Sequence, residues 1–193
     1  MSRLHLHFVC TANVCRSAYA SLRALTILSP RDFAASSSGL QAHPGEPIYV
    51  EMAEQLRRRG VDPGGQASRR TETVDIQDAD LVLTMASWQR TTVLENWPDA
   101  VTRVFTLPQF VASARTPDAL SLITSSSDKS GSAKDIIVAA YRHRVPASSV
   151  GDVADPYNQG PEAAATCATT LDRLLTELDD LLAPARPPRR AAV

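Results

Sequence analysis

Residues 4–17 read LHLHFVCTANVCRS: an apolar, strand-like run ends at Cys10, and six residues later come Arg16 and then Ser17. Five intervening residues let the backbone curl until its N–H groups converge on one point, where a helix opening near Ser17 adds its positive end. Such a nest holds a tetrahedral oxyanion. The same dipoles favour the thiolate of Cys10 over the thiol, which makes it a nucleophile. Arg16 brings a planar fork that takes two oxygens of one phosphate. The chemistry this segment predicts is attack of sulfur on phosphorus. A plainer reading of Cys-x5-Arg-Ser is a buried strand that ends in an inert cysteine. The position of the motif, after a strand and before a helix, favours the anion loop.

A second motif lies far along the chain at 151–157, GDVADPY, just before the last helical stretch. A thiolate that displaces an alkoxide or phenoxide needs a proton donor for the leaving oxygen, and Asp155 on this loop fits that role. Pro156 fixes the loop, and Tyr157 offers an aromatic wall to a flat substrate ring.

Together, VCTANVCRS and DVADPY resemble the low-molecular-weight protein tyrosine phosphatase family, over residues 4 to about 110 and 151 to 182. The resemblance implies that Cys10 is the nucleophile, Arg16 the phosphate clamp, and Asp155 the general acid that later activates water. It implies further that backbone amides from Thr11, Ala12, Asn13, Val14, Cys15 and Arg16 hold the phosphate. Ser17 would hydrogen-bond the thiolate, and Asn13 would hold the loop in its strained form. The chain departs from the family pattern at Ala12, where glycine is usual, and at Ala18, where proline is usual. Where many members place a loop-buttressing histidine, the stretch GVDPGGQASRR offers Gln66.

The composition suits one soluble enzyme domain: 193 residues, 44% hydrophobic, 21% charged, with a formal net charge of −1. Near-zero charge argues against nucleic acid or an anionic membrane as partner. No apolar run approaches the ~20 residues of a membrane span, and the N-terminal residues lack a signal-peptide pattern, so a cytoplasmic location is expected. Three cysteines fit reduced thiols. Zinc is disfavoured because Cys167 and the scattered histidines lack paired ligand spacing; neither metal nor cofactor is expected. Cys15 reads equally as a disulfide partner shielding an oxidised Cys10 or as a small buried side chain, and Cys167 reads as core.

Strand-length apolar runs at 4–9, 33–36, 81–85 and 101–106 alternate with helical patterns at 17–28, 48–59, 87–96 and 161–182. Leu171, Leu174, Leu175, Leu178, Leu181 and Leu182 form the apolar stripe of the last helix. Such alternation predicts an α/β fold with an open parallel four-stranded sheet flanked by helices, a flavodoxin-like three-layer sandwich. The resemblance adds the strand order 2-1-3-4, which puts the thiol loop at a topological switch point. Residues 1–183 are expected to form one phosphatase domain. Within it, 112–150 is an atypical insertion of two short helical patterns around a serine-rich break at 124–132. Residues 184–193 are expected to be a disordered Pro/Arg-rich tail.

The expected activity is hydrolysis of protein phosphotyrosine by a monomeric enzyme opposing a tyrosine kinase, with walls supplied by Tyr157 and by the loop after Gly39, around Leu40 to Tyr49, with Leu40 as the named candidate. Tyr49 reads as core. Alternatives are a protein arginine phosphatase, which Thr11 does not separate from the first reading, an arsenate reductase using a small-molecule thiol, and a non-catalytic phosphate-binding module. Thioredoxin-coupled arsenate reduction needs further cysteines after the third strand, and residues 80–100 contain none.

Overall fold

The computed structural model describes residues 3–30, 32–125 and 133–182. The 184–193 tail and most of the serine-rich break fall outside them.

Strand β1 (Leu4–Cys10) occupies an interior position of a sheet ordered β2-β1-β3-β4, with β2 at Phe33–Gly39, β3 at Leu81–Thr84 and β4 at Val104–Thr106. Every pairing is parallel, with Cys10 opposite Gly39 and Val9 opposite Thr84. Side-chain alternation along β1 divides the core. Leu6, Phe8 and Cys10 face a large cluster that includes Ala18 and Tyr19 of helix α1 (Arg16–Ile27) and Met52 and Leu56 of α2 (Val50–Arg58). On the opposite face, Val9, Val82 and Val104 pack with Ile76 of α3 (Thr73–Asp78) and Val93 of α4 (Ser87–Asn96). These are the three layers and the strand order expected.

Downstream come α5 (Leu107–Ala114), α6 (Pro117–Ser125), α7 (Ala133–Arg142) and α8 (Gly160–Leu182). The α8 stripe buries five leucines, and Leu181 is partly buried against them. Cys167 lies in that core at 3% exposure. The two helical patterns expected in the insertion are α6 and α7, and Ile136, Ile137 and Ala140 of α7 join the main core.

Several sequence-derived boundaries need correction. β2 continues three residues past Ser36, because Ser37, Ser38 and Gly39 keep pairing with β1 despite their low strand propensity. β4 starts at Val104, since Val101 to Arg103 turn after a short 3-10 helix and Arg103 N–H bonds the Ala100 carbonyl at 2.9 Å. Helix α3 was not legible because it is only six residues long, opened by the Asp75 carboxylate accepting the Glu72 N–H at 2.9 Å. Helix α5 was not legible because it is only eight residues long and begins directly at the end of β4, with no turn residues to separate strand from helix. Among the described residues no helix is long and apolar enough to cross a membrane.

Candidate active site

β1 ends at Cys10, and the chain loops through Thr11 to Cys15 before α1 opens at Arg16. The left-handed conformation this loop needs falls on Asn13 (φ 58°), a residue type that tolerates it, and not on Ala12. Alanine therefore replaces the family's glycine without a backbone penalty. Asn13 is 1% exposed and fully engaged. Its Nδ2 donates to Ser17 Oγ and Ser37 Oγ, each at 2.9 Å, and its Oδ1 accepts the Arg69 N–H at 3.1 Å.

The Cys10 sulfur is met by the Asn13 N–H at 3.3 Å and by Ser17 Oγ at 3.0 Å. Ser17 also donates to the Ser38 carbonyl at 3.2 Å. The end of β2 thus forms the platform beneath the loop. A Cβ placed on Gly39 would stand 2.6 Å from the Thr11 carbonyl oxygen and 2.8 Å from the Asn13 nitrogen, so only glycine lets strand and loop approach this closely. Leu40 N–H and Gln41 N–H then bond the Cys10 and Thr11 carbonyls at 3.0 and 2.8 Å.

This platform is tied to β1 by histidines. His7, fully buried, bonds Ser36 Oγ and Ser38 Oγ through its two ring nitrogens, both at 2.7 Å. His5 bonds the same Ser36 at 2.7 Å, and Ser38 Oγ bonds Thr71 at 2.8 Å. Burial pushes the His7 pKa down to about 4, assisted by Arg69 and His5 and opposed by Asp75. Gln66 is no buttress: its side chain bonds the neighbouring Ala67 carbonyl at 3.3 Å.

Arg16 is 5% exposed and turned across the loop. One Nη donates to the Val153 carbonyl at 3.2 Å, while the other reaches Thr11 Oγ1 at 3.4 Å and pairs with the Asp155 carboxylate. Its Nε–H is buried with no acceptor among the described residues. Asp155 arrives on a loop fastened just before it, at Asp152 and Val153. Val153 N–H bonds the Met85 carbonyl at 2.8 Å, and Asp152 caps α4 through Ser87 N–H and Oγ at 2.8 Å. Thr11 is further held by the buried Gln89, whose Nε2 donates to it at 3.1 Å while its Oε1 accepts Met85 and Ala86 N–H at 3.0 Å.

Cys10, Arg16 and Asp155 open into one cavity of about 330 Å³, with Tyr157, His43 and Glu46 at its walls. Thr11, Ala12, Val14 and Cys15 also line it, while Asn13 and Ser17 support it from behind. Leu40 does not line it; its side chain packs on the second core with Val9 and Ile76, a correction that follows from strand alternation continuing past Gly39. Tyr157 is half exposed, and its ring lies 5.0 Å from that of Tyr49, tilted by 52°. Tyr49 both packs on the core and backs this wall. Cys15 is 2% exposed, and its thiol pKa is raised far above the ordinary range by burial and then by the Asp155 charge. Burial also pushes Cys167 up to about 12. Among the described residues no group of three or more His, Cys, Asp or Glu is placed to hold a metal.

The Ser37–Ser38–Gly39 platform and Gln89 were missed from sequence, whereas His43 and Glu46 belong to the 40–49 loop expected at the wall but were not singled out within it. The platform had a signal: the pattern LHLHFVC puts His5 and His7 on one strand face, opposite a serine-rich neighbour of the same period.

A parallel α/β sheet with a cysteine–arginine loop at the carboxyl end of an interior strand is the framework of a phosphate-handling enzyme. Residues 5–121 match the low molecular weight phosphotyrosine protein phosphatase family, and the chain belongs to that family of hydrolases. It is 32% identical over 106 residues to a protein-arginine-phosphatase of Geobacillus stearothermophilus, covering 54% of this chain and 70% of that protein. The structure is similar to that of the YwlE arginine phosphatase from the same organism, with a TM-score of 0.71, 24% identity, and coverage of 98% and 99% of the two chains. It is also similar to a low molecular weight protein tyrosine phosphatase from T. tengcongensis, with a TM-score of 0.69, 25% identity, and coverage of 91% and 97%.

Proposed function

We propose that this chain hydrolyses protein phosphotyrosine in the cytoplasm through a cysteinyl-phosphate, opposing a tyrosine kinase. The observation that carries the reading is Arg16, whose Nε–H is buried without an acceptor at the same cavity as the Cys10 sulfur. A buried unsatisfied donor costs ~1–3 kcal/mol, and a phosphoryl oxygen supplies the missing acceptor.

In the first step the Cys10 sulfur bonds to phosphorus while the phosphorus–oxygen ester bond breaks, and Asp155 gives its proton to the leaving phenolic oxygen. Water then attacks phosphorus and yields a proton to Asp155. The phosphorus–sulfur bond breaks, returning thiolate and inorganic phosphate. The Arg16–Asp155 pair fits this order: the phosphoryl group takes over the guanidinium and releases the carboxyl toward the leaving oxygen. Ala12, Val14 and the Tyr157 ring give the cavity apolar walls suited to a phenyl ring.

Phosphoarginine is the second reading. It is favoured by the Glu46 carboxylate at the same cavity, a partner for a guanidinium, and by the arginine phosphatase activity of the Geobacillus relatives. Arsenate reduction that draws on further thiols of this chain is disfavoured, since Cys15 and Cys167 are both buried with raised pKa values and neither is a ready thiolate. The deciding experiment compares kcat/KM for a phosphotyrosine peptide and a phosphoarginine protein. Higher turnover of phosphotyrosine supports the first reading; turnover of phosphoarginine alone replaces it with the second; failure on both overturns the phosphatase reading.

A further inference from the structure

The segment after β2 brings Glu46 to the cavity mouth on a stiffly held loop. Gly45, at φ 90°, gives its N–H to the Ser68 carbonyl at 2.9 Å, and Ser68 N–H bonds the Glu46 carbonyl at 2.8 Å. The Glu46 N–H bonds Ser68 Oγ at 2.9 Å, that hydroxyl donates to the His43 carbonyl, and Pro47 bridges Ala67. Ser68 itself is 2% exposed. The backbone of this rim is therefore anchored to the interior at four points around one buried serine.

The Glu46 side chain is exposed, and its carboxylate has no hydrogen-bond or ion-pair partner among the described residues. The other charged groups of the cavity are already committed: Arg16 to the phosphoryl group and Asp155 to the leaving atom's proton. Arg70 follows the same anchor segment, but it turns its Nε to the Ala42 carbonyl at 3.0 Å and does not line the cavity. The rim thus presents one unpaired carboxylate, on an anchored backbone, to whatever flanks the phosphorylated residue.

We propose that Glu46 is a specificity-determining residue that selects phosphorylated proteins carrying Lys or Arg beside the phosphorylated residue. An acidic neighbour meets like charge at the rim, and a basic one meets an unpaired carboxylate on a rigid support. This selection rests on the phosphatase reading above and names the class of segment that site accepts.

The test uses two phosphotyrosine peptides that differ only in having Lys or Glu on both sides of the phosphorylated residue, together with a small aryl phosphate that has no flanks. The Lys peptide is expected to show about three- to tenfold higher kcat/KM at low salt, falling toward parity as salt rises. Glu46→Gln removes most of that preference and Glu46→Arg inverts it. Equal rates for the two peptides in the wild type, or an unchanged preference in Glu46→Gln, overturns the proposal. Aryl phosphate turnover separately tests the phosphatase reading. If it is absent, binding of the same two peptides by fluorescence anisotropy decides, with equal affinities counting against Glu46.

Discussion

Replacing Gly39 by alanine tests how the strand platform sets the anion loop. The added methyl carbon would lie 2.6 Å from the Thr11 carbonyl oxygen, 2.8 Å from the Asn13 nitrogen and 2.9 Å from the Ala12 carbonyl carbon. All three are backbone atoms of the loop, so no side chain can rotate away. Reaching ordinary contact requires the loop to move by the better part of ~1 Å. Hydrogen bonds from Leu40 and Gln41 to the Cys10 and Thr11 carbonyls couple that movement to the sulfur. A displacement of this size costs on the order of 100-fold in rate when it misaligns reacting groups. Overpacking adds a stability loss of ~1–3 kcal/mol. Steady-state turnover of an aryl phosphate, read beside a thermal melt, should therefore show kcat/KM reduced about 10- to 100-fold in a variant that still folds. A Gly39→Ala enzyme within twofold of wild type would refute the claim that β2 fixes the loop.

Other substitutions and conditions probe separate parts of the account. Asp155→Ala should slow release of a poor leaving group by about 100-fold or more while sparing a good one, and equal slowing of both would argue against a general acid. For His7, the folded protein holds the ring neutral down to about pH 4, whereas the unfolded chain protonates it near 6.5. The unfolded state therefore binds more protons in that window, so stability is highest above pH 6.5 and falls as pH drops toward 4. The full loss is about 3 kcal/mol. Urea midpoints across this range should fall less steeply in His7→Gln than in wild type, and identical slopes would remove His7 from the explanation. Tyr157→Ala should raise KM for a phosphotyrosine peptide severalfold and leave the inhibition constant of inorganic phosphate unchanged, because the ring lines the wall and not the loop.

The four strands and the principal helices were legible because the chain alternates period-two apolar runs with 3.6-residue stripes, most clearly in β1 and α8. Cys10 and Arg16 could be placed at one site from their spacing, but Asp155 joined them only through the resemblance of the two motifs, since spacing alone does not bring residue 155 beside residue 16. What escaped was polar and local to the fold. Ser37, Ser38 and Gly39 have low strand propensity, and it is their pairing with β1 that makes them strand. Leu40 looked like a substrate wall because it follows the glycine, yet strand alternation carried past Gly39 turns it into the second core. Glu46 carries no local signal; its place at the mouth depends on the buried Ser68, twenty-two residues away in sequence. Gln89 was equally unreadable, because its importance lies in joining the start of α4 to Thr11 across the sheet.

The central claim is that phosphate passes through the Cys10 sulfur, and rapid denaturation of the enzyme in detergent at alkaline pH during turnover of a labelled phosphate ester tests it most directly. The account predicts label that survives alkali but is lost in mild acid, on the peptide containing residues 10–16, assigned by mass spectrometry to Cys10 and absent together with turnover in Cys10→Ala. Turnover that persists in Cys10→Ala, or label found on any other side chain, would contradict it.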